Sequence, residues 1–87
     1  MPLEIRLTAD VGDGRLMFWR AQVGQRLEQG QVIAEIETDK AVLEVESPAS
    51  GVLAVQVVAE GQRVRGGEVV AVLAGLGEDV ATIQQGL

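Results

Sequence analysis

Gly24-Gln25-Arg26-Leu27-Glu28-Gln29-Gly30-Gln31-Val32-Ile33-Ala34-Glu35-Ile36 is written a second time, 37 residues on, as Gly61-Gln62-Arg63-Val64-Arg65-Gly66-Gly67-Glu68-Val69-Val70-Ala71-Val72-Leu73. Gly24/Gly61, Gln25/Gln62, Arg26/Arg63, Gly30/Gly67, Val32/Val69 and Ala34/Ala71 are identical, and Gly14/Gly51 and Leu16/Leu53 extend the match upstream. Leu27/Val64, Ile33/Val70 and Ile36/Leu73 differ only in apolar shape. The glycines bracket a short piece, which predicts two turns with a brief strand between them. Two copies cannot make a solenoid, because each inner repeat needs a neighbour on both sides. A pair of similar β-units packed face to face does better, since each covers the apolar side of the other.

Working outward, strands are expected near residues 3–8, 15–22, 32–38, 41–47, 52–58 and 69–74, with short ones near 26–28 and 63–65. Val32, Ala34 and Ile36 alternate with Ile33, Glu35 and Glu37, and Leu43 and Val45 alternate with Glu44 and Glu46, the period of a half-buried strand. The run Leu16-Met17-Phe18-Trp19 is apolar throughout and does not declare its inward phase. Residues 1–75 therefore read as one domain. Residues 76–87 lose the alternation and read as a tail or the start of a linker.

A chain of 87 residues with 47% apolar side chains can bury one small core, and with Phe18 and Trp19 as its only aromatics that core must be aliphatic. There is no cysteine and no histidine, which removes disulfides, thiolate metal sites and the usual general base. A formal net charge of −6 makes nucleic acid an improbable partner. No apolar run is long enough to span a membrane, Met1-Pro2 reads as a genuine start, and a cytoplasmic protein is the expectation.

Lys40 is the only lysine. It sits in Glu37-Thr38-Asp39-Lys40-Ala41, between two expected strands, where a hairpin tip would expose it to an enzyme without unfolding the sheet. Its amine can be deprotonated and acylated, whereas the six arginines stay protonated. Asp39 and Ala41 would then be recognition elements, one charged and one small. An ordinary turn also favours Asp and Lys, and the residues alone leave both readings open. In the repeat, Lys40 corresponds to Gly77 and Asp39 to Leu76, so the second copy lacks the acidic, lysine-bearing tip.

Other chemistry fares worse. Glu35, Glu37, Asp39, Glu44 and Glu46 could attract a hard cation, but alternation puts them on a solvated rim, and no metal site is expected. No catalytic residues are expected either. Paired-carboxylate catalysis needs a cleft, and Ser47 or Ser50 with Lys40 makes a remote nucleophile–base pair. Gly12-Asp13-Gly14 and Gly66-Gly67 open no helix and are not phosphate loops. Phe18 and Trp19 are expected to pack in or partly in the core rather than form a binding platform.

Residues 24–51, and more weakly 3–73, resemble the lipoyl domains of 2-oxoacid dehydrogenase complexes, as found in dihydrolipoamide acyltransferases. The resemblance rests on Glu37-Thr38-Asp39-Lys40-Ala41, on Leu43-Glu44-Val45 with Ser47-Pro48-Ala49, and on Gly51 opening the second half. It implies an all-β fold, a flattened β-barrel or sandwich of two pseudo-two-fold-related four-stranded antiparallel sheets. It implies lipoic acid in amide linkage on Lys40, with Asp39 and Ala41 read by the attaching enzyme, and a carrier without its own active site. The implied partners are a lipoate ligase or lipoyl transferase, a thiamine-diphosphate-dependent 2-oxoacid decarboxylase, an acyltransferase core that passes the acyl group to coenzyme A, and dihydrolipoamide dehydrogenase. Biotinyl domains are similar but usually set methionine on both sides of the lysine. The alternatives are a carboxylase's biotin carrier and a small β binding module in which Lys40 is only a turn residue. The family often has Gly-Glu-Gly in the loop beside the modified lysine, where this chain has Thr8-Ala9-Asp10-Val11, and a Gly-Asp turn where this chain has Gly24-Gln25.

Overall fold

Strands form where the aliphatic runs lie between turn glycines. The computed structural model of the protein describes residues 2–75, and in chain order it contains β1 (Leu3–Arg6), β2 (Asp13–Trp19), β3 (Arg26–Leu27), β4 (Val32–Glu37), β5 (Val42–Glu46), β6 (Gly51–Gln56), β7 (Arg63–Arg65) and β8 (Val69–Ala74). Every expected strand is present, most of them shorter than expected. A 3-10 turn at Ala9–Val11, which the pattern did not predict, follows β1. The expected tail lies outside the described residues, as do Leu76 and Gly77, the repeat counterparts of Asp39 and Lys40.

The strands make two four-stranded sheets, ordered β1-β8-β6-β3 and β5-β4-β2-β7, with every pairing antiparallel. The repeat relates β2 to β6, β3 to β7 and β4 to β8, and β5 and β1 occupy equivalent edge positions, so each sheet has the other's order. Irregularities repeat as well. The pairing skips Met17 in β2 and Ala54 in β6, and skips Ile33 in β4 and Val70 in β8. The turns agree bond for bond: Gly24 N–H donates to the Leu53 carbonyl at 2.8 Å, and Gly61 N–H to the Leu16 carbonyl at 2.7 Å. The two-fold sandwich is thus a property of the backbone as well as of the sequence.

Positions that are apolar in both copies supply the core. Leu16 and Leu53, Leu27 and Val64, Ile33 and Val70, Ala34 and Ala71, and Ile36 and Leu73 are all buried. One expectation fails here. Val32, Ala34 and Ile36 do not share one face against Ile33, because Ile33 and Ala34 are both buried while Val32 is half-exposed. The bulge at Ile33 is the cause: an extra residue lets two successive side chains point inward. The same device at Met17 resolves the ambiguous run, burying Leu16 and turning Phe18 outward at 53% exposure. Phe18 is therefore not a core residue, contrary to expectation. Trp19 is half-buried and donates its indole N–H to the Val58 carbonyl at 2.9 Å.

Leu53 has no accessible surface. Leu53→Ala is expected to cost about 3 kcal/mol, a large share of the total stability of a domain this small. Urea denaturation of both proteins, read as a shift in midpoint, checks it.

Candidate functional site

β4 and β5 form a hairpin whose register runs from Val32↔Glu46 to Glu37↔Val42, leaving residues 38–41 as its tip. Buried Ile36 and Val45 hold the hairpin to the core, and Leu43 packs against the same cluster. The tip itself is tied by Thr38. Its N–H donates to the Ala41 carbonyl at 2.9 Å, and its hydroxyl donates to the same carbonyl at 2.9 Å. The Thr38 oxygen also accepts from Lys40 N–H at 3.3 Å and from Ala41 N–H at 3.1 Å. A Thr hydroxyl closing a turn in this way fixes its shape without glycine, and among the described residues positive φ is confined to glycines. Thr38 was not singled out in the sequence. A hydroxyl residue two positions before the tip lysine is the signal that could have found it.

Asp39, Lys40 and Ala41 are all exposed. The Lys40 side chain makes no hydrogen bond or ion pair with any described residue. The structure therefore presents one unengaged primary amine on a backbone that is held still, which fits an amide-linked group. β2 passes beneath the tip so closely that a Cβ on Gly14 would lie 2.8 Å from Ile36 Cγ2 and 3.1 Å from the Glu37 carbonyl oxygen. Asp13, Gly14, Arg15, Glu37, Thr38, Asp39 and Arg63 line a shallow dish of about 400 Å³ there.

The remaining candidates are dispersed. Glu37, Glu44 and Glu46 are exposed, and Glu35 is half-buried and paired with Arg20. Among the described residues no three Asp or Glu groups stand close enough to hold a metal ion. Ser47 is buried and donates to the Ala49 carbonyl at 2.7 Å, and the Ser50 hydroxyl faces Glu28, so neither is directed to Lys40. The Thr8–Val11 loop is pinned to the turn before β8, with Leu7 N–H on the Glu68 carbonyl at 2.9 Å and Gly66 N–H on the Gly12 carbonyl at 2.8 Å. Thr8 and Val11 border a groove with Leu43, Glu44 and Val45 of β5. The loop thus meets the lysine-bearing hairpin along β5 and does not line the dish beneath the tip. No helix of the described residues is long and apolar enough to cross a membrane.

Known proteins resemble this chain in sequence and fold. The biotin/lipoyl family, described as "Biotin-requiring enzyme", matches residues 7–73. The dihydrolipoyllysine-residue acetyltransferase component of the pyruvate dehydrogenase complex of Rhizobium meliloti (strain 1021) is 43% identical over 90 residues, which cover 99% of this chain and 20% of that protein. The solution structure of the lipoyl domain of the 2-oxoglutarate dehydrogenase complex from Azotobacter vinelandii superposes with a TM-score of 0.66 at 32% identity, covering 88% of this chain and 99% of that domain. The urea carboxylase of Kluyveromyces lactis gives a TM-score of 0.76 at 26% identity, over 85% of this chain and 6% of that protein. The higher TM-score thus belongs to the carboxylase and the higher identity to the lipoyl proteins. The fold is common to both branches, so side-chain identity discriminates better between them. The chain belongs to the biotin/lipoyl domain family. Within it the chain is a lipoyl domain. It spans about a fifth of the length of the acetyltransferase it matches.

Proposed function

We propose that this chain is the lipoyl carrier domain of the acyltransferase component of a 2-oxoacid dehydrogenase complex, with lipoic acid in amide linkage to Lys40. The observation that carries the proposal is the unengaged Lys40 amine on a turn closed by Thr38. Asp39 and Ala41, exposed on either side, are the positions an attaching enzyme would read. When bound, the lipoyl dithiolane supplies a disulfide that can be reductively acylated and later reoxidised. What the protein adds is a rigid base, a single point of attachment and exposure on all sides. A tether makes each later encounter intramolecular, at an effective concentration set by its length.

The proposed partners are a lipoate ligase or lipoyl transferase, a thiamine-diphosphate-dependent 2-oxoacid decarboxylase, the acyltransferase core acting with coenzyme A, and dihydrolipoamide dehydrogenase. Both pyruvate and 2-oxoglutarate complexes are represented among the similar proteins, and the acyl group is left at that class. Residues 1–75 are proposed as the carrier and 76–87 as the start of a linker, in a cytoplasmic protein.

Co-expression with a lipoate ligase is expected to raise the intact mass by one lipoyl group, and co-expression with a biotin ligase to leave it unchanged. Biotin addition without lipoyl addition would favour the carboxylase branch. No addition by either would leave Lys40 a turn residue of a β module.

A further inference from the structure

Arg15 and Arg63 face each other directly across β2 and β7, on the strand row that ends beneath Lys40. Both are exposed, and neither makes an ion pair or side-chain hydrogen bond with a described residue. Arg6, Arg20 and Arg65 behave differently, being paired with Glu4, Glu35 and Asp13. Arg26 is also unpaired, but its cross-strand neighbour is Val52. Like charges directly opposite one another weaken an antiparallel pair, so the fold gains nothing from this juxtaposition. It lies within the dish that also contains Thr38 and Asp39. Three carboxylates share the dish: Asp13 is paired with Arg65 at 3.5 Å, Glu37 stands opposite Arg15 on its other flank, and neither Glu37 nor Asp39 forms an ion pair with a described residue.

We propose that Arg15 and Arg63 form a docking point for carboxylate side chains on the enzyme that attaches the lipoyl group. This rests on Lys40 being the attachment site. Reach selects the partner. The ligase acts on Nζ itself, about 6 Å from the lysine Cα, so its surface must close around the tip. Arg15 lies opposite Glu37, the last residue of β4 before the turn that carries Lys40. A protein that buries Nζ therefore covers this row, whereas enzymes that meet the longer, loaded arm can work further out. Two adjacent guanidiniums suit paired carboxylates, which they grip through fixed N–H forks. On a domain with a net charge of −6, a local cationic pair beside an acidic tip also fixes which way round the partner binds.

The test follows lipoyl attachment to the 87-residue chain by a purified lipoate–protein ligase with lipoic acid, ATP and Mg²⁺, read by intact mass at varied domain concentration. Arg15→Glu/Arg63→Glu is expected to raise KM about tenfold with kcat within twofold, and to flatten the salt dependence of kcat/KM, as lost charge pairing predicts. Arg26→Glu, an unpaired arginine on the other sheet, makes the domain two charges more negative, the same change as Arg15→Gln/Arg63→Gln, and should shift KM less than twofold. Arg15→Gln/Arg63→Gln removes the repulsion without reversing charge. Its Tm should equal or exceed that of the parent while KM still rises, a combination that a purely structural role would not give. Equal KM shifts in the paired and Arg26 variants, or a loss confined to kcat, would overturn the docking point. An unmodified parent chain would overturn the carrier reading itself, and with it this inference.

Discussion

Lys40→Arg is expected to abolish lipoyl attachment completely while leaving the thermal melt unchanged. The fold has little stake in this exposed side chain, which makes no hydrogen bond or ion pair with a described residue, and a guanidinium stays protonated and cannot act as the nucleophile. Position should matter as much as chemistry. In Asp39→Lys/Lys40→Ala and Ala41→Lys/Lys40→Ala the amine remains exposed on the same hairpin. However, the Thr38 oxygen orients the N–H groups of residues 40 and 41 specifically, so a displaced lysine leaves the tip in a different direction. Attachment rates about a hundredfold lower are expected, the scale of a small misplacement at a reacting group. Intact mass over time measures this, and parental rates in either shifted protein would show that the attaching enzyme reads any exposed lysine.

Gly51→Ala is expected to be strongly destabilising, costing about 3 kcal/mol or more. A Cβ there would overlap the Ala74 carbonyl oxygen and press on Leu73, with Cγ and Cδ1 at 3.1 and 3.2 Å. Its repeat mate Gly14 would meet the Ile36 methyl at 2.8 Å and the Glu37 carbonyl oxygen at 3.1 Å. A side-chain methyl can rotate away and a paired strand's carbonyl cannot, so Gly14→Ala should cost less. Urea titration of the two variants decides the order. Gly14→Ala should instead register at the site, because β2 runs directly beneath Thr38, whose methyl would lie 3.5 Å from the new Cβ.

Much of this was legible in residues 14–73. The glycine spacing and the shared apolar positions announced two equivalent β-units, and the same positions proved to be the buried pairs Leu16/Leu53, Ile33/Val70 and Ile36/Leu73. Strict alternation misled at Ile33, and the scarcity of aromatics misled at Phe18, because a bulge changes which face a residue joins without leaving a mark in composition. The tip was legible as an acidic pentapeptide around the chain's one lysine. The role of Thr38 was not read, although a hydroxyl residue two positions before the tip lysine was there to signal it, because its bonds to Ala41 form only once the hairpin closes.

By itself, then, the sequence determined the repeat, the aliphatic core, the single acylable amine and its Asp and Ala neighbours. Each of these is a matter of residue type and spacing. Only the tertiary structure decided what lies around the tip. It set β2 beneath Thr38, brought Arg15 against Arg63, and carried the Thr8–Val11 loop to β5. It also made the lysine hairpin the two-fold mate of the β8–β1 pair, which has no connecting tip among the described residues. These contacts join residues tens of positions apart, and strand register, bulges included, sets them.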